Sequence, residues 1–236
     1  MRTAVRVGAL IVAVLLVSLA AVAAFDSAAP LPPPPALTDP LPAASPPPDM
    51  QVFQLPTGKI THLRAAFAYR GGSFRDEREF SMTPVLVHHP KGDLLIDAGF
   101  GRSIDAQIRM LPLLLRLMTS YEKLTPAADQ LRAAGYDVAG AGGAGRKLSA
   151  ILLTHAHWDH VSGVDDFPGV PVLVTTEEQR FIGEGGVATA LARSLHGMHL
   201  EAYSFEGGPY LGFPRSHDVY GDGSIVVVPA PGHTPG

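Results

Sequence analysis

In the segment ILLTHAHWDHVSG, which begins at Ile151, an apolar run ends abruptly in His155, His157, Asp159 and His160, four ionisable side chains within six residues. Neutral imidazoles and a carboxylate are the donors that Zn²⁺ and similar borderline cations accept. The chemistry they would support is metal-assisted hydrolysis. A bound cation lowers the pKa of water from about 15.7 to about 7 and so supplies hydroxide at neutral pH for attack on a carbonyl or phosphoryl centre. The competing reading is a solvated polar loop. Histidine is scarce, ten in 236 residues, and four such groups crowded together serve no packing purpose, so the metal reading is preferred.

Whether these side chains meet depends on the element that carries them. On a regular strand His155, His157 and Asp159 would share one face with His160 opposed; in a tight loop or at a helix start all four could point inward. The neighbouring sequence predicts strands in ITHLRAAFAY, TPVLVHH, DLLIDAGF, SAILLTH, VPVLVTT and SIVVVPAPGH, each a β-branched or apolar run bounded by turn residues. His88 to Asp93 reads as a hairpin loop between two of them. Helical patterns are predicted over Ser103 to Met118, with Pro112 as a kink, over Pro126 to Ala134, and from Glu177 to about His196. Strands alternating with helices make an α/β protein, and no internal repeat is visible.

Composition narrows the partners. A net charge of −4 and a pI near 6.2 provide no field for polyanions, which argues against nucleic acid and leaves a small-molecule substrate. The absence of cysteine excludes disulfides and thiolate ligands, so any metal is held by nitrogen and oxygen. At the N-terminus, Arg2 and Arg6 precede an apolar run from Val7 to Ala24, and Ala21-Val22-Ala23 fit a signal-peptidase site. Residues 1–25 are therefore expected to be a signal peptide or an N-terminal membrane anchor, with membrane association through residues 7–24 as the second option. Either option exports the rest, to the periplasm, the medium, or the outer side of the inner membrane. Residues 26–49 are proline-rich, an extended spacer, and residues 50–236 are expected to form one domain.

His-x-His-x-Asp-His after an apolar strand resembles the signature of the metallo-β-lactamase superfamily. LLIDAGF at Leu94 to Phe100 and PAPGHTPG at Pro229 to Gly236 resemble two further segments of that family, in the same order. The resemblance implies a four-layer αββα sandwich. It also implies a dinuclear zinc site, with iron or manganese as other occupants: His155, His157 and His233 at the first position, Asp159 and His160 at the second. Asp159 would additionally serve catalysis by orienting the nucleophile or passing its proton to the leaving group, and Asp97 would hold the site in place. For His233 the alternative is a polar turn residue, and for Asp97 an Asx-type turn residue.

The family's bridging aspartate and final histidine have no counterparts after His233, because the sequence stops at Gly236. The expectation is a C-terminally truncated chain with the second half of the sandwich incomplete, an open sheet edge and exposed apolar surface. Asp165, Asp166, His196, His199, His217, Asp218 and Asp222 precede the PGHTPG turn and read as surface or loop residues. Trp158, the GGSFRDEREFSMTPVLV segment and the exported location resemble the lactonase-type branch more than nucleases or thioesterases. The function implied is hydrolysis of an ester, lactone or amide carbonyl. Two alternatives stand beside it: an iron-dependent sulfur dioxygenase of the same superfamily, and an inactive binding or scaffold protein. RMLPLLLRLM at Arg109 to Met118 is expected to be a core-facing helix, with an acyl-chain pocket or a membrane contact as alternatives.

Overall fold

The computed structural model describes residues 2–25, 45–69, 71–138 and 145–236. Most of the proline-rich spacer lies outside the described residues. The chain begins with α1 (Arg2–Phe25), β1 (Gln51–Gln54), β2 (Gly58–Arg64), α2 (Ala65–Ala68), β3 (Glu77–Met82), β4 (Val85–His88) and β5 (Asp93–Ile96). It continues through α3 (Ile104–Ile108), α4 (Leu113–Met118), β6 (Ser120–Lys123), α5 (Ala127–Ala133), β7 (Leu148–Leu152) and α6 (Trp158–Val161). The last elements are β8 (Val172–Thr175), α7 (Thr176–Glu184), α8 (Ala190–Ser194), β9 (Leu200–Tyr203), β10 (His217–Asp218) and β11 (Val226–Val227). Among the described residues no helix is long and apolar enough to cross a membrane.

Six strands form the central sheet in the order β1-β4-β5-β7-β8-β9. β5, β7, β8 and β9 are parallel neighbours, whereas β1 and β4 join antiparallel. Successive residues of a strand point to opposite faces, and here both faces are dry. Leu95, Ile151, Leu153, Val172 and Val174 enter a cluster with residues of α5, α6, α7 and α8. Leu94, Ala150 and Leu152 enter another with Ile225, backed by Val219 and Val227 of the β10–β11 ribbon. Helices thus cover one face and a second piece of sheet covers the other, as the layered α/β fold requires. A separate three-stranded sheet, β3-β2-β6, packs with Phe100 and α3 around Ile60, Met82, Ile104 and Ile108.

Several sequence expectations are corrected. ITHLRAAFAY is strand only to Arg64 and then turns into α2. The helix predicted over Ser103 to Met118 is two short helices, because Pro112 lacks the N–H that would continue the first and instead sits at the N-cap of the second. The helix predicted from Glu177 is broken at Gly185 and Gly186, the latter with φ +57°. RMLPLLLRLM is not core-facing: Met110, Leu113, Leu114 and Leu117 are each more than 60% exposed.

Candidate metal centre

β5 and β7 lie side by side and parallel, with Ile96 opposite Leu152, so the segments leaving their C-terminal ends emerge together. That rim is where parallel α/β sheets bind ligands. The two loops are stitched by backbone bonds: Asp97 N–H to Leu152 O (2.9 Å), Ala98 N–H to His160 O (2.9 Å) and Gly163 N–H to Gly99 O (3.0 Å). The contact is close enough to demand glycine, since a Cβ on Gly163 would stand 2.5 Å from the Ala98 carbonyl oxygen.

The histidine motif is a strand-to-helix turn. His157, with φ −72° and ψ 157°, is the last extended residue and the N-cap of α6, and Asp159 and His160 occupy that helix. This geometry escapes strand alternation and lets all four side chains turn toward one place. The imidazole rings of His155 and His160 are 3.9 Å apart, those of His155 and His157 4.7 Å. From the other end of the chain, His233 joins them: its ring lies 4.5 Å from His157 and 4.8 Å from His155. Ligand nitrogens of His155, His157 and His233 all fall within 4.8 Å of one another. His233 is therefore part of the cluster and not an isolated turn residue.

Electrostatics favour neutral rings at His155 and His157. Burial, reinforced by repulsion from His160, His157 and His233, drives His155 down to about 3. Burial and His233 likewise lower His157. Neutral imidazoles present lone pairs, and His157 Nδ1 and His233 Nε2 stand only 2.9 Å apart. A divalent cation takes this donor set, so the residues fit the group that the motif implies.

The second pair of residues is held differently. Asp97 Oδ2 is 2.8 Å from His160 Nδ1 and fixes that ring. Its carboxylate also accepts the Thr154 N–H and hydroxyl at 2.8 Å each. Asp97 is thus a cross-loop anchor and not an Asx turn. It has φ +58°, a left-handed conformation that aspartate tolerates better than most residues and that clusters at functional sites. With Nδ1 occupied, His160 turns Nε2 outward, 3.6 Å from Asp159 Oδ2. Burial pulls the His160 pKa down, but the hydrogen bond and charge of Asp97, with the charge of Asp159, outweigh it and raise the group overall.

Of the other candidates, Asp165, Asp166 and Asp222 hold loops, and His217 lies in β10, its ring stacked on Tyr203. Asp165 accepts the Gly197 N–H (2.6 Å), Asp166 the Arg102 N–H (2.9 Å), and Asp222 pairs with Lys91 (2.9 Å). Two supporting residues were not anticipated from the sequence: Thr154, whose spacing carries no signal, and the buried Glu178, which accepts the Ala156 N–H at 2.7 Å.

The chain belongs to the metallo-β-lactamase superfamily, whose family model matches residues 83–236. It is 26% identical over 212 residues to the metallo-hydrolase mfmC of Annulohypoxylon moriforme, covering 86% of this chain and 54% of that one. It is 24% identical over 200 residues to the N-acyl homoserine lactonase AttM of Azorhizobium caulinodans, covering 80% and 69%. The chain spans about half the length of the first curated relatives it matches. It shares its fold with a solved N-acyl homoserine lactone hydrolase holding the product N-hexanoyl-L-homoserine at its catalytic metal centre. The TM-score is 0.56 at 18% identity, over 78% of this chain and 67% of the other.

Proposed function

We propose that this protein is a metal-dependent hydrolase, zinc-loaded, that opens an ester, lactone or amide carbonyl of a small molecule, with a lactone as the first substrate to test. The observation that carries this reading is the convergence of three imidazole nitrogen donors at the rim of the parallel strands. The metal, when bound, supplies a Lewis acid that lowers the pKa of water to about 7 and polarises the substrate carbonyl. His155, His157 and His233 would hold it at the first position, and His160 and Asp159 would contribute to a second. Asp159, which is mostly buried beside His160, would orient the nucleophile and carry its proton to the leaving group. Asp97 keeps His160 in one tautomer, with Nδ1 protonated and Nε2 free. Trp158 stacks on Phe100 at 5.7 Å, which fixes the apolar floor next to the motif.

The lactone preference is supported by the relatives named as N-acyl homoserine lactonases. Export is supported by Arg2 and Arg6 ahead of the apolar run from Val7 to Ala24 and by the small residues Ala21-Val22-Ala23 at its end; it puts the activity in the periplasm or outside the cell. The test is a substrate panel of lactones, β-lactams, thioesters and phosphoesters, run with and without a chelator. The expected result is lactone hydrolysis that a chelator abolishes and added Zn²⁺ restores. Turnover insensitive to the chelator, or none on any member after zinc loading, would overturn the reading.

A further inference from the structure

Glu178 is 2% exposed, a carboxylate buried at the third position of α7. Its own N–H is capped by Thr175 Oγ1 at 3.0 Å, and Thr-x-x-Glu is the spacing of a capping box. In that motif the glutamate returns to the N-cap N–H. Here it does something else. Oε1 accepts the N–H of Ala156, the residue between His155 and His157, at 2.7 Å. Oε2 accepts the N–H of Gly236, three residues after His233, at 3.3 Å. The PGHTPG turn lies directly on the first turn of α7: a Cβ on Gly236 would stand 2.2 Å from Thr175 Oγ1 and 2.6 Å from Glu178 N.

A buried carboxylate is costly unless its oxygens are hydrogen-bonded, and neither helix capping nor packing requires one here. What it does is tie together two segments that are 76 residues apart at their histidines, His157 and His233. We infer that Glu178 is a positioning residue that sets the separation of the two histidine segments and so the geometry of the metal centre. The inference rests on the metal-dependent reading above.

The experiment compares the full chain with Glu178→Ala, Glu178→Gln and a control, Leu131→Ala, which removes a core side chain on α5 that is 1% exposed. Zn²⁺ affinity is read by competition with a chromophoric chelator, and ligand geometry by the visible spectrum of the Co²⁺-substituted protein. Glu178→Ala is expected to weaken Zn²⁺ binding by about 10–100-fold, the usual cost of losing a partner behind the ligands, and to change the Co²⁺ spectrum. Glu178→Gln keeps an acceptor for Ala156 but turns an amide donor toward Gly236, so it falls between the two. Leu131→Ala lowers the melting temperature and leaves both readouts at wild-type values. Should Glu178→Ala not fold, Glu178→Gln decides the same comparison. Wild-type Zn²⁺ affinity and spectrum in the Glu178 variants overturn the inference, as does an equal loss in Leu131→Ala. A wild-type chain that takes up no metal overturns the hydrolase reading itself.

Discussion

Where β5 and β7 begin, His88, Asp93, Tyr136 and Arg146 close on one another; where the same strands finish, His155, His157 and His233 do. At the first end each polar group already has a protein partner. Asp93 accepts from the Tyr136 hydroxyl and pairs with His88 Nδ1, both at 2.5 Å, and takes the His89 N–H at 3.2 Å. Arg146 reaches His88 Nε2 at 2.6 Å. Burial alone would raise the Asp93 pKa, but its bonds to Tyr136 and His88 outweigh it and lower the group. Tyr136 is pushed up to about 12 by burial and by Asp93. At the second end the three rings stand against one another with no carboxylate bonded to them among the described residues, and repulsion adds to burial in lowering His155 and His157. A histidine whose two ring nitrogens are both taken, as His88 is by Asp93 and Arg146, is a structural lock, whereas rings that face one another leave lone pairs for a cation.

The comparison can be attacked first at the metal end. His155→Ala combined with His157→Ala removes two of the three donors, and Zn²⁺ affinity in the chelator competition should fall by more than the ~10–100-fold seen when only a supporting partner is lost. The melting temperature of the metal-free protein should change little by comparison. At the locked end the outcome should reverse. Asp93→Ala strands the Tyr136 hydroxyl and the His88 ring, and the expected destabilisation is about 2–3 kcal/mol, visible as a melting temperature lower by roughly 5–10 °C. Zinc affinity of the folded protein should be unaltered.

Asp97→Asn probes the link between loops. Asparagine tolerates the same left-handed backbone, so the substitution removes charge without adding strain, and a loss of about 10-fold in Zn²⁺ affinity is expected. A further effect is on acid stability, in two separate pH windows. The folded-state pKa of His155 lies near 3, against 6.5 unfolded, so the unfolded state binds the extra proton and the metal-free protein loses stability as pH falls from 6.5 toward 3. Asp93, lowered from 3.8, contributes stability above that value and loses it only as pH falls below. Denaturant titrations of the metal-free protein should show the first slope diminished in His155→Gln and the second in Asp93→Asn.

Much of this was legible in the residues themselves. The apolar runs predicted β4, β5, β7 and β8 because each is buried on both faces, and the four-residue crowding in THAHWDH marked the rim. β1, β3, β6 and β9 were missed because they are largely exposed, as QVFQ and SYEK show, and carry no apolar pattern. The α4 face was misjudged because leucines at helical spacing read as core when no tertiary partner is known. Glu178 was hidden for a subtler reason: the Thr-x-x-Glu spacing announces a helix start, and only the tertiary fold turns that glutamate away from its own helix.

The central claim is that the imidazole trio binds a divalent cation, and elemental analysis after equilibration with Zn²⁺ and removal of the excess tests it directly. Bound zinc that disappears in the His155→Ala, His157→Ala double variant is the expected finding. Absence of zinc, iron and manganese from the wild-type chain, or zinc retained equally by the double variant, would refute it.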